Sequence, residues 1–76
     1  MNNVRRKKLT NIVNSLESAQ ELLEELRDEE QEYLDNMPES LQGSEKYSIG
    51  EEAIENMESA IDSINDVIGY VESAMA

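Results

Sequence analysis

The feature that most constrains this chain is a series of mostly aliphatic residues spaced alternately three and four apart. Leu9, Ile12, Leu16, Ala19, Leu23 and Leu26, followed by Glu30, Tyr33 and Met37, keep that beat without a break. Such spacing returns side chains to one face of a helix, and it is the seam by which helices lie side by side. Val13, Leu22 and Leu34 flank the seam and broaden it into a bundle-type face. Asn2 or Asn3 suits the N-cap. Pro38 disfavours helical backbone at Met37, so a first helix is predicted over about residues 3–36, roughly 50 Å long at 1.5 Å per residue.

A second helix is predicted over about residues 48–75, after a polar connection at 37–47 that carries Pro38, Gly43 and Ser residues. Ser48 and Glu51 have capping-box spacing, and Ser44 offers an alternative start. Ile54, Ile61 and Ile68 recur at one seam position and Met57, Ile64 and Val71 at the other, with Ala53, Ala60, Val67 and Ala74 beside them. The small flank lets another helix come close. Leu41 and Tyr47 are expected to fold back over the end of the bundle.

The expected fold is therefore all-α: a single domain forming an antiparallel, coiled-coil-like helical hairpin. A 76-residue chain has little core of its own, and with no Cys it has no disulfide to brace it. Two hairpins pairing into a four-helix bundle would bury both the seams and the Ala/Val flank. A homodimer is thus expected, with Leu16, Leu23, Leu26, Ile54, Met57, Ala60, Ile61, Ile64, Ile68 and Val71 as the residues of helix packing and of the dimer. The alternative is a monomer whose loop and tail cover the same surface.

Charge supplies the second constraint. Eighteen acids face six bases, and four of those bases are the contiguous Arg5, Arg6, Lys7 and Lys8. Helix 1 thus begins basic and ends acidic, the unfavourable arrangement for its dipole, at about 0.3–1 kcal/mol for each misplaced charge. Like charges also recur four apart, as at Glu21/Glu25, Glu24/Asp28 and Asp28/Glu32, each pair unfavourable by about 0.2–0.5 kcal/mol. Local stability does not select this pattern. In a hairpin Arg5 to Lys8 lie beside the end of helix 2 and can pair with Glu72, the chain carboxylate and the negative end of its dipole. The acids either form a solvated face or serve a partner: Glu21, Glu24, Glu25, Asp28, Glu29, Glu32 and Asp35 make a ridge suited to a basic protein surface, even to imitating a phosphate backbone. Glu30, on the seam, requires either water or a pairing such as one with Lys46.

Much chemistry is missing. Without His or Cys there is no imidazole base, thiolate nucleophile or the usual triad, and the three glycines are isolated from any phosphate loop. The expectation is a protein that is not an enzyme and carries no cofactor and no metal. No membrane contact is expected, and direct nucleic-acid binding is disfavoured by the negative charge that follows Lys8. Without a leader-like apolar stretch, the expected setting is the cytoplasm.

The stretch Asn36-Met-Pro-Glu-Ser-Leu-Gln-Gly-Ser-Glu-Lys-Tyr47 and the following Glu51-Glu-Ala-Ile-Glu-Asn-Met-Glu-Ser-Ala-Ile-Asp-Ser-Ile64 resemble a group of short acidic helical proteins of bacteriophages and mobile elements of gut-type bacteria. Members of that group mostly have no assigned function, so the resemblance implies a setting, an accessory protein in a host cell, and not an activity. Small acidic phage proteins often inhibit host proteins, and by that analogy the expected role is to bind and inhibit a host protein such as a defence factor. Two other readings stand beside it. One is an assembly adaptor that packs through its seams; the other is an antitoxin-like regulator that uses Arg5 to Lys8.

Overall fold

The computed structural model describes all 76 residues, and it consists of two long helices packed as a hairpin with no strand. Helix α1 spans Asn3–Asp35 and helix α2 spans Glu45–Met75, with a single 3-10 turn at Glu39–Leu41 between them. Asn2 caps α1, its side-chain oxygen accepting from the Arg5 amide at 2.8 Å. Asn36 closes the same helix, its amide donating to the Glu32 carbonyl at 3.0 Å. Pro38 then holds extended backbone and turns the chain away.

Helix α2 starts earlier than the Ser48–Glu51 spacing suggests. Ser44 is its N-cap, accepting from the Tyr47 amide, and the Ser48 amide already donates to the Ser44 carbonyl at 3.2 Å. The start at Ser48 is thus corrected to the alternative one. An extra turn of helix carries Tyr47 onto the seam, which Leu34 and Met37 need in order to be covered. Tyr47 packs against them as expected, while Leu41 stays half-exposed.

The molecule is a rod with extents of 60 × 14 × 12 Å. Its radius of gyration is 17.4 Å, against about 11 Å for a compact domain of this length. Little is enclosed in such a shape: six of 76 residues are buried, and the one continuous apolar cluster, Leu34, Met37 and Ile54, sits at the loop end. Gly50 makes that cluster possible. A Cβ there would lie 2.7 Å from Leu34 Cδ2 and 2.9 Å from Glu30 Oε1, so Leu34 rests on bare backbone of α2 and is only 1% exposed.

Candidate interaction surfaces

The structure redraws one row of the α1 seam. Leu9, Leu16, Leu23 and Met37 face α2 as the spacing predicts, but the alternate positions are Val13, Gln20, Arg27 and Leu34. Ile12, Ala19, Leu26 and Tyr33 lie one residue round and are exposed, Leu26 at 44% and Tyr33 at 46%. Both rows repeat every seven residues, so spacing alone does not choose between them. Contacts with α2 do. Leu34 fits over Gly50, and the Gln20 amide nitrogen donates to the Ile61 carbonyl at 3.1 Å and to Asn65 Oδ1 at 2.7 Å. The seam of α2 is as predicted, with Ile54 and Ile61 buried and Met57, Ile64, Ile68 and Val71 half-buried.

The displaced row has company. Lys46 is seven residues before Ala53 in the Ala53, Ala60, Val67, Ala74 row, and its Nζ stands 5.6 Å from the centroid of the Tyr33 ring. The two rows therefore share one side of the hairpin. That side is apolar for most of its length: Ile12, Ala19, Leu22 and Leu26 on α1, and Ala53, Ala60 and Val67 on α2. Ile12, Leu22, Leu26 and Val67 are among the exposed large hydrophobic residues. At its loop end an open hollow of about 490 Å³ lies between Tyr33, Met37, Pro38, Leu41 and Lys46. The Tyr33 phenol beside it raises the pKa of the Lys46 ammonium above its ordinary 10.5.

The opposite side is polar and acidic. Gln31 of α1 and Glu51, Glu55 and Glu58 of α2 line a hollow there, and Gln20 and Asn65 bridge the helices farther along. Glu24 borders this side. Glu21, Asp28 and Asp35 follow round the back of α1, then Glu25 and Glu32, then Glu29 next to Leu22. All seven ridge acids are exposed. Only one ion pair forms in the chain, Arg27 Nη2 with Asp28 Oδ1 at 3.1 Å. The Glu30–Lys46 pairing considered from sequence does not form: Glu30 is half-buried beside Gly50, and Lys46 is over Tyr33.

The basic run behaves partly as its position implies. Arg6 Nε donates to the Met75 carbonyl at 3.1 Å, placing a cation on the negative end of the α2 dipole. It makes no ion pair with Glu72. Arg5, Lys7 and Lys8 remain exposed.

No cluster of three or more acids is placed to hold a metal ion, and no helix is long and apolar enough to cross a membrane. No protein-family profile, curated protein or solved structure matches this chain.

Proposed function

We propose that the chain is a non-catalytic binding protein that offers its acidic ridge to a basic surface on another protein and inhibits it by occupying that surface. The observation that supports this most is the lack of internal compensation: seven exposed acids run along about four turns of α1, and only Asp28 has a basic partner. Repulsion along such a ridge is relieved by a cationic surface, and the favourable field also speeds encounter. A groove that normally holds a nucleic-acid backbone is one surface of that kind. In the phage-type setting that the loop and α2 resemble, the target is a host protein, a defence factor among the candidates, met in the host cytoplasm. Two copies pair through the apolar side into a four-helix bundle, which leaves most of the ridge facing outward.

The test is capture of partners from host lysate at low and high salt, repeated with Glu25→Lys, Asp28→Lys and Glu32→Lys combined. The expected result is capture that weakens with salt and disappears in the triple variant while circular dichroism stays helical. Capture that survives both changes overturns the electrostatic reading.

A second reading, an assembly adaptor, is favoured by the exposed apolar side rather than by the ridge. It predicts capture that withstands high salt and fails when Leu26 or Val67, on that side, becomes Asp. The antitoxin-like reading is the weakest of the three, since Arg6 is already engaged with the end of α2.

A further inference from the structure

We infer, building on the pairing of two copies proposed above, that the apolar side is covered by a second copy running in the opposite direction, α1 on α1 and α2 on α2, with the two loops at opposite ends of the bundle.

Three observations select a second copy as the occupant. First, the row left outside is the more apolar of the two: Ile12, Ala19, Leu26 and Tyr33 are exposed while Gln20 and Arg27 occupy the seam. Second, a face of 60 by 14 Å offers roughly 800 Å², the share of each partner in a standard-size interface. Third, the rod leaves 5596 Å² of surface accessible, against about 4700 Å² for a compact monomer of its mass.

Charge selects the direction. Face-to-face pairing of two identical rods about a two-fold axis has two orientations. With the loops together, Glu29 and Glu39 of each copy come close to those of the other, and the two acidic loop ends lie side by side; from Asp28 to Glu55 the chain has ten acids and only Lys46 to oppose them. With the loops apart, the exposed Arg5 and Lys8 come to the level of residues 37–40 of the second copy, near its exposed Glu39.

The side chains fit this second arrangement. The α1 row reverses onto itself with Ile12 against Tyr33 of the second copy and Ala19 against Leu26, so a small residue meets a large one. The hydrogen bonds from Gln20 to Ile61 and Asn65 fix the level of α2 relative to α1, which brings the two-fold axis close to Ala60. Ala60 then meets its own counterpart and Ala53 meets Val67, positions where small side chains allow close approach.

Spin labels on Gly43→Cys test the orientation, because a side chain at Gly43 meets nothing within 4 Å. The inference predicts a mass of two 8.6 kDa chains and an inter-label distance of roughly 45 Å, at 1.5 Å of rise per residue. A dimer with labels closer than about 20 Å has its loops together, as interaxial distances of 8–10 Å would impose; that result overturns the orientation and leaves the pairing intact. A mass of one chain overturns both. Neither result bears on the ridge, which the salt-dependent capture tests separately. Leu26→Lys combined with Val67→Lys is expected to preserve the helical spectrum and reduce the mass to that of one chain. An unchanged mass places the interface elsewhere and overturns the inference.

Discussion

At the loop end of the rod, Leu34 is 1% exposed and lies against the backbone of Gly50, with Met37, Ile54, Tyr47 and Met57 packed around it. At the other end Leu9, Ile68, Val71 and Met75 belong to the same regular seam, yet none of them is fully buried. The hydrogen bonds that join the helices there run from Arg6 Nε to the Met75 carbonyl and from Thr10 Oγ1 to Met75 Sδ, the latter at 3.5 Å. The heptad pattern is equally good at both ends, so pattern alone does not produce a core. Closeness of approach does, and at the loop end it comes from one missing Cβ and from the connecting chain, which supplies Met37.

The widest gap between the ends is expected from shaving the same side chain. Leu34→Ala should destabilise by about 3 kcal/mol, within the 2–5 kcal/mol of enclosed Leu→Ala changes, and Leu9→Ala by about 1 kcal/mol, since its site is already wet. Thermal melts followed by circular dichroism measure both. Equal losses would mean that the open end is as tightly packed in solution as the closed one.

The glycines sharpen the same contrast with opposite signs. Gly50→Ala puts a methyl where Leu34 sits, and overpacking of about 1–3 kcal/mol should exceed the helix-propensity gain of about 1 kcal/mol. Gly69, towards the open end, has nothing within 4 Å of its Cβ position, so Gly69→Ala should stabilise by about 0.5–1 kcal/mol. A gain from both substitutions in denaturant titrations would contradict the close approach at Gly50.

The smallest effect is expected at the cap. Arg6→Ala removes the cation on the last carbonyls of α2 and should cost about 0.3–1 kcal/mol, less as salt rises. Amide hydrogen exchange should quicken in the last turn of α2 and remain unchanged around Ile54. Uniform quickening would mean that the open end holds the whole rod together.

Much of this architecture was legible in the residues. Pro38 marked the break, Asn2 the first cap, and the Ile54–Ile61–Ile68 series the inner face of α2. Two features were not. The start of α2 hung on a choice between Ser44 and Ser48, both plausible caps, which only the need to cover Leu34 and Met37 resolves. The second was which α1 row turns inward. Ile12, Ala19, Leu26 and Tyr33 make the more apolar row, so sequence favours it; Gln20 and Leu34 are drawn inside by groups on α2 more than forty residues or a whole loop away. The acids of the ridge could be named from sequence as an exposed cluster. That they wrap the back and one side of the rod, leaving the other side apolar, depends on that same rotation of α1.

By itself the sequence determined that this protein is two helices and that α1 begins basic and ends acidic, because periodicity, caps and charge spacing act within a few residues of each other along the chain. The tertiary structure decided which way α1 faces. That decision rests on Gly50 admitting Leu34 and on Gln20 reaching α2, and contacts across a hairpin leave no mark in the spacing of either helix.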